Sequence, residues 1–179
     1  MNDAHTLLSI DHEFFLSVRP LTPPAFAPFG RVVGVAGQDP ALTGRVINGG
    51  NALRYDLLTD LQMQAQGGQP MLALFRAQPR CFPLSVTAME RHMLGAQAFL
   101  PLGTQRFIVV VAPAGDPPTP GQLQAFVSDG RQGIVLAPGT WHHALLAIDG
   151  GDFAVLERRA SIEDCEVHAV VACVVVRLP

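Results

Sequence analysis

The segment ERHMLGAQAFLPL occupies residues 90–102 and carries both a fold signal and a group of chemically active side chains. The first two residues of the segment, Glu90 and Arg91, are also the end of a largely apolar run, Ser85–Arg91. A second apolar run, Ala96–Leu100, follows directly after Gly95. Short apolar runs bounded by glycine or proline are typical of β-strands joined by tight turns. The segment therefore predicts two strands, with an acid and an imidazole at the end of the first.

The same pattern recurs outward along the chain. Further candidate strands are Arg31–Val35, Met71–Arg76, Arg106–Ala112, Gln132–Leu136, Ala144–Ile148, Phe153–Leu156 and Val167–Val176. A turn is expected at Gly37–Pro40, a short helix within 22–30 and a second helix at Leu57–Gln66. With 17 glycines and 15 prolines, an all-β sandwich or barrel is favoured, and a closed or jelly-roll form would remove exposed strand edges.

The domain prediction is an N-terminal extension at 1–19 followed by a single domain at 20–179. The apolar tail Val170–Leu178 is expected to pair within the barrel or across a dimer, because an exposed apolar strand promotes aggregation.

Composition excludes several classes of function. The net charge of −3 argues against nucleic acid as a partner, since a phosphate-binding surface needs a basic stripe. No run approaches 18 apolar residues, so no membrane span is expected. The three cysteines show no CxxC spacing, which favours reduced thiols and a cytoplasmic location.

Strand alternation sorts the candidate side chains by face. Glu90 and His92 should share one face of their strand, with Arg91 on the other. In PGTWHH at 138–143, adjacent histidines in an extended chain point to opposite faces, so one of His142 and His143 lines a given cavity. An acid and an imidazole on one face can bind a metal ion together or act as an acid–base pair. The alternative is a hydrogen-bonded core histidine and a surface ion pair.

Residues 90–102, together with Trp-His-His at 141–143, resemble the ureidoglycolate lyase family, also called ureidoglycolate hydrolase. Further matching pieces, in the family's order, are LTPPAFAPFG at 21–30, INGG at 47–50, Arg-Tyr at 54–55, RAQP at 76–79, AFVSDG at 125–130 and DCE at 164–166. The likeness covers roughly residues 20–168. One departure is Asp56, where the family commonly has histidine.

The resemblance implies a cupin-like jelly-roll β-barrel, a homodimer, and a role in allantoin and purine breakdown. The implied reaction splits ureidoglycolate into glyoxylate and urea, with nickel or another divalent ion as cofactor and no organic cofactor. The general cupin pattern favours His142 over His143 as the cavity residue. Glu90, His92 and His142 are then the predicted catalytic set, and His92 and His142 the predicted metal ligands, with Glu90 or Gln97.

Substrate contacts follow from the chemistry of a carbinol-urea, whose central carbon bears a hydroxyl, a carboxylate and a urea nitrogen. Arg76 is the first choice to bind the carboxylate, because a guanidinium offers a bidentate fork. Arg54 with Tyr55 is the second choice. Gln97 is expected to hydrogen-bond the urea group.

Two other functions stay open at this stage. One is a cupin of another activity, such as an isomerase or a dioxygenase. The other is a cupin that binds a small molecule without turnover.

Overall fold

The computed structural model describes residues 13–34, 42–57 and 61–178. Within these ranges the structure contains seventeen strands, one α-helix and three 3₁₀ helices. The strands are β1 (Phe14–Leu16), β2 (Val18–Pro20), β3 (Gly30–Val33), β4 (Arg45–Ile47), β5 (Ala52–Arg54), β6 (Gln69–Ala77), β7 (Leu84–Ser85), β8 (Ala88–His92), β9 (Gln97–Pro101), β10 (Phe107–Ala112), β11 (Gln124–Val127), β12 (Gly133–Leu136), β13 (Trp141–His142), β14 (Leu146–Ala147), β15 (Gly151–Arg159), β16 (Cys165–Ala169) and β17 (Val174–Val176). The helices are α1 (Pro23–Phe26) and the 3₁₀ turns Asn48–Gly50, Ala65–Gly67 and Pro120–Gln122.

Two large sheets pack face to face, which confirms the all-β, cupin-like fold class. Sheet I has the order β16-β8-β13-β10-β11-β2, with β14 also paired to β10, and sheet II has the order β3-β12-β9-β15-β6. The central core lies between them, with Phe107, Val109 and Val111 from sheet I packed among residues of sheet II such as Ile134 and Phe153. Burying each of these side chains stabilises the fold by about 1.5–3 kcal/mol.

Strand β10 is buried on both faces. Its alternate residues Ile108 and Val110 belong to a second core on the back of sheet I, together with Trp141. Sheet III, in the order β1-β17-β7, covers that second core. This double burial explains why residues 107–112 read as a continuous apolar run rather than as an alternating one.

The predicted strands occur near their expected positions, but two of them are divided. The run Ser85–Arg91 becomes β7 and β8, because β7 pairs with β17 in sheet III whereas β8 joins sheet I. The run Val167–Val176 is divided in the same way into β16 and β17. The apolar tail therefore pairs within the fold, with Val174 and Val176 fully buried.

Part of the expected N-terminal extension is built into the sheets. Residues 1–12 lie outside the described residues, but β1 pairs in parallel with β17, and β2 pairs in parallel with β11. These pairings join chain segments more than 100 residues apart, and no local sequence pattern signals them.

The expected helix at Leu57–Gln66 is wrong for the part that is described, from residue 61 onward. Gln62 and Gln66 have φ values of 55° and 49°, in the left-handed region, which an α-helix does not tolerate. A single 3₁₀ turn, Ala65–Gly67, occurs there instead. The short helix expected within 22–30 is confirmed as α1, although the Thr22 side chain makes no capping bond. The turn expected at Gly37–Pro40 lies outside the described residues. Among the residues that the structure describes, no helix is long and apolar enough to cross a bilayer.

Candidate active site

Glu90, His92 and His142 converge on the inner face of sheet I. Strands β8 and β13 are antiparallel neighbours with His142 directly opposite Glu90, so both side chains point to the same face. His142 is also opposite Val111, a residue of the central core. The three residues offer possible ligand atoms that all lie within 4.8 Å of one another. The structure thus brings together the two sequence segments that were expected to meet.

The His142 ring is oriented by the backbone. Its Nδ1 lies 3.0 Å from the Thr140 carbonyl oxygen, which can only accept a hydrogen bond. Nδ1 therefore carries the hydrogen of the neutral ring, and Nε2 carries a lone pair. Nε2 is buried and has no hydrogen-bond partner among the described residues. The ring presents an electron-pair donor to the space between the sheets.

The His92 ring has a similar arrangement around an acid. Its Nδ1 lies 3.9 Å from Asp164 Oδ1, while its Nε2 is buried and unpartnered within the described ranges. Asp164 accepts a 2.9 Å hydrogen bond from the Leu94 backbone N–H and lies 3.7 Å from the Arg158 guanidinium. A distance of 3.9 Å is longer than a hydrogen bond, so Asp164 orients the ring by charge.

The site holds the Glu90 carboxylate beside the imidazoles of His92 and His142. The hydrogen bond that a protonated His142 provides lowers the pKa of Glu90, against the opposing effect of burial. Burial lowers the pKa of His92, and the neighbouring His142 lowers it further. When His142 is neutral, its Nε2 lone pair faces Glu90 Oε1 at 3.5 Å. Two lone pairs at that distance favour a proton or a cation between them.

These residues fit a divalent cation. Two imidazole Nε2 atoms and a carboxylate are ligands that nickel, zinc and iron accept. Metal-binding histidines usually direct their second nitrogen at a carbonyl or carboxylate, as His142 and His92 do here.

Gln97 approaches from sheet II. It lies opposite Leu136, a central-core residue, and is only 6% exposed. Its Nε2 donates a 2.9 Å hydrogen bond to Glu157 Oε2, and its Oε1 is buried with no partner among the described residues. The carbonyl oxygen is therefore the end of the amide that is free to bind a ligand.

An open cleft of about 370 Å³ leads to His92 and is also lined by Glu157 and Asp164. Its volume falls within the usual range for small-molecule sites.

His143 does not turn away from the site as alternation suggested. It lines a cavity of about 10 Å³ beside His142, with room for about one water molecule, and its charge acts on Glu90. Strand β13 ends at His142, so the alternation of an extended strand does not continue to His143. Burial lowers the pKa of His143.

Arg91 lies on the opposite face from Glu90, as expected. Its guanidinium stacks over the Trp141 ring at 4.3 Å and donates to Glu166 at 2.6 and 2.8 Å. It thus belongs to the outer side of sheet I.

Arg76 is not placed to bind a substrate carboxylate in this site. Residues Ala73 and Ala77 of β6 pack against the central core, so Arg76 points to the outer face of sheet II. There it makes two hydrogen bonds to Asp152, at 2.9 and 3.0 Å, and its side chain is 74% exposed. The structure thus does not bring Arg76 together with Glu90, His92 and His142, and sequence analysis did not foresee this because it did not establish which residues of β6 face inward.

Arg54 and Tyr55 lie on or next to the β4–β5 hairpin, a separate two-stranded sheet. Arg54 Nε donates to Asp56 Oδ1 at 2.6 Å, and both side chains are about half exposed. The Tyr55 ring lies close against Gly44, where a Cβ would collide with it. The recorded contacts of these three residues do not join them to Glu90, His92 and His142.

Sequence analysis missed two acids of this site. Asp164 lies in the DCE piece at 164–166, which was noted only as a matching motif. Glu157 stands in LERR at 156–159, which reads as a solvated charge run. Strand alternation places Glu157 on the same face as Phe153 and Val155, which point inward from the same strand.

Comparison with known proteins gives a consistent set of relatives. A family model described as Ureidoglycolate lyase matches residues 13–177. A ureidoglycolate lyase of Azotobacter vinelandii is 41% identical over 154 residues, covering 86% of this chain and 90% of that protein. One of Burkholderia mallei is 47% identical over 146 residues, covering 80% of this chain and 82% of that protein. Among solved structures, an rmlC epimerase of Mycobacterium tuberculosis has a TM-score of 0.41 at 18% identity, covering 83% of this chain and 70% of that chain.

The buried histidines make stability depend on pH. The folded-state pKa values of His92 and His143 lie below the ordinary value of 6.5, so the unfolded chain binds more protons between those values and 6.5. The free energy of unfolding of the metal-free protein should therefore fall as the pH is lowered from about 7.5 to about 5.5. The lowered pKa of Glu90 extends the fall below its ordinary value of 4.5.

Guanidinium chloride unfolding at a series of pH values measures this dependence. His92→Gln should give a shallower slope, because one of the titrating groups is gone. A stability that rises toward pH 5.5, or an unchanged slope in the variant, would contradict the assignment.

Proposed function

The chain belongs to the ureidoglycolate lyase family, and on this premise we propose that it splits ureidoglycolate into glyoxylate and urea at Glu90, His92 and His142. The family match at residues 13–177 includes all three. The observation that carries the proposal is the pair of buried, unpartnered imidazole Nε2 atoms beside a carboxylate. Such a group can take up and return a proton in a site that excludes most of the solvent.

His142 is the proposed proton carrier. Its Nε2 lone pair accepts the proton of the substrate hydroxyl as the carbon–oxygen double bond of glyoxylate forms and the carbon–nitrogen bond breaks. Glu90, 3.5 Å away, stabilises the resulting imidazolium. Since the hydroxyl oxygen and the urea nitrogen are attached to the same carbon, the same imidazole can return the proton to the departing nitrogen. The proton count then balances without a second acid.

The substrate carboxylate needs a positive partner. Arg76 and Arg54 are paired with Asp152 and Asp56, and Arg91 is on the outer side of sheet I. In an alternative to proton transfer by His142, the residues His92, His142 and Glu90 would hold a divalent ion, nickel being the example that the resemblance suggests, and His142 Nε2 would then be a ligand and not the base. Such an ion supplies positive charge for the carboxylate and acidifies the hydroxyl group.

We also propose that the protein is a homodimer, formed along the edge of sheet II. Strand β6 is nine residues long, lies at that edge, and exposes Leu72 by 72% and Leu74 by 58%. A long apolar edge strand without a cover is an aggregation hazard, and a second copy removes it. The three free cysteines agree with the reducing cytoplasm as the place of action.

Incubation of the purified protein with ureidoglycolate, with urea and glyoxylate followed over time, tests the reaction. We expect His142→Asn to lower kcat by about 10²- to 10⁴-fold, because general acid–base catalysis contributes that much. His168→Asn is the matched control, since His168 contacts the Trp141 ring on the other side of sheet I.

No acceleration over the spontaneous decay of ureidoglycolate would refute the lyase function and leave a binding cupin. Release of ammonia in place of urea would identify a hydrolase acting on the same compound. Equal activity of His142→Asn and the wild type would remove His142 from the mechanism.

The dimer is tested by light scattering. Leu74→Asp should shift the solution mass from dimer to monomer, because it places a charge in the proposed contact. Val171→Asp should leave the solution mass unchanged, because Val171 is 98% exposed and lies between β16 and β17, not at the edge of sheet II. A wild-type protein that is monomeric at all concentrations would contradict the proposal.

A further inference from the structure

Glu157, an acid outside the cluster of Glu90, His92 and His142, accepts a hydrogen bond of 2.9 Å from the nitrogen of the Gln97 amide. We propose that Glu157 is a positioning residue that holds the Gln97 carbonyl oxygen toward the space between the sheets, where this oxygen accepts an N–H of the substrate's urea group. The identity of the ligand rests on the proposed function. The orientation of the amide does not.

The geometry places both side chains on the inner face of sheet II. Gln97 lies opposite Leu136, and Glu157 has the same phase along β15 as Phe153 and Val155, all three of them central-core residues. Strands β9 and β15 are paired, and Gln97 Nε2 lies 2.9 Å from Glu157 Oε2. Glu157 also lines the cleft that leads to His92 and acts on His92 by charge.

The chemistry of the two groups leaves one arrangement. A carboxylate accepts hydrogen bonds and donates none, so it selects the NH₂ end of an amide. Fixing the nitrogen fixes the oxygen at the other end, and Gln97 Oε1 is accordingly buried without a partner. A buried amide oxygen with no donor destabilises the protein, and a bound ligand that supplies the donor removes this cost.

The unpartnered atoms define the ligand that fits. In the described part of the chain, three buried side-chain atoms lack a partner, namely His92 Nε2, His142 Nε2 and Gln97 Oε1. Gln97 Oε1 is an acceptor, and so is Nε2 of the neutral His142 ring, whose hydrogen lies on Nδ1. The imidazoles serve the hydroxyl group or a cation, so the amide oxygen is left for a neutral donor. The urea group carries N–H donors on both nitrogens, and a buried acceptor placed for them discriminates against analogues that lack them.

Exchanging the two side chains tests the inference. Glu157→Gln lets the facing amides pair in either sense, and we expect KM for ureidoglycolate to rise about fivefold with kcat within about twofold. Gln97→Glu sets two carboxylates against each other and should raise KM at least as much. The double variant Gln97→Glu/Glu157→Gln restores an acceptor–donor pair with an oxygen toward the cavity, and KM should return to within about threefold of the wild-type value.

A matched control removes the same charge elsewhere. Glu13→Gln changes an exposed acid next to β1, a strand of sheet III, and KM should not change. A double variant that folds normally, as judged by its melting temperature, but stays as impaired as the single variants would overturn the positioning role. A fall in kcat with KM unchanged would do the same, since it indicates a loss of active protein.

Two further measurements separate this inference from the proposed function and from a role of Gln97 in binding the cation. The side-chain amide signal of Gln97 in a ¹H–¹⁵N spectrum, identified by its loss in Gln97→Glu, should exchange slowly and should shift in Glu157→Gln. Fast exchange in the wild type would overturn the orientation. If the wild type lacks turnover, the proposed function fails while this spectral result still stands.

Calorimetric titration with Ni²⁺ tests the assignment of the oxygen to the substrate. The affinity for Ni²⁺ should be the same within about twofold in the wild type and Glu157→Gln, because the cation is held by the other three residues. A loss of Ni²⁺ affinity equal to the rise in KM would place the Gln97 oxygen on the cation and overturn its assignment to the urea group.

Discussion

The register between β8 and β13 is the constraint on which the site depends. It places His142 opposite Glu90, and a slip of one residue would turn the imidazole to the outer side of sheet I. Strand β10 holds this register from the other side, because Val111 lies opposite His142 and β10 is packed on both faces. A two-residue strand such as β13 has little stability of its own. It acquires a fixed position from a neighbour that cannot shift without disturbing two cores.

In the described part of the chain, the site contains buried polar atoms without hydrogen-bond partners. Most buried polar atoms in proteins are hydrogen-bonded, yet His92, His142 and Gln97 each keep one polar atom without a partner among the described residues, and in His142 and Gln97 the other polar end is held by a hydrogen bond. The cost is acceptable where a ligand supplies the missing donors. Burial lowers the pKa of His92 and so favours its neutral form, and the site gathers the electron pairs of imidazole and carboxylate groups around a small space. This is the electrostatic requirement for moving a proton or holding a cation.

Local periodicity was enough to predict part of this site. The alternation of Glu90, Arg91 and His92 follows from strand geometry alone, and the structure agrees. Arg76 was misplaced because residues 71–75 are apolar at every position, so the sequence gives no phase for β6. Strands β1 and β2 were missed because their partners are distant in the chain and parallel to them. Glu157 was missed because a charged run such as LERR normally marks a solvated surface, although its spacing from Phe153 and Val155 places the acid on the inner face.

The central claim is that the neutral His142 ring presents an unprotonated Nε2 to the space beside Glu90. Long-range ¹H–¹⁵N correlation spectra of the imidazole rings, recorded near pH 8 on metal-free protein, report this directly, because protonated and unprotonated ring nitrogens differ widely in chemical shift. The structure predicts that the neutral ring of His142 carries its hydrogen on Nδ1, which faces the Thr140 carbonyl oxygen. A neutral His142 ring with its hydrogen on Nε2 would contradict it.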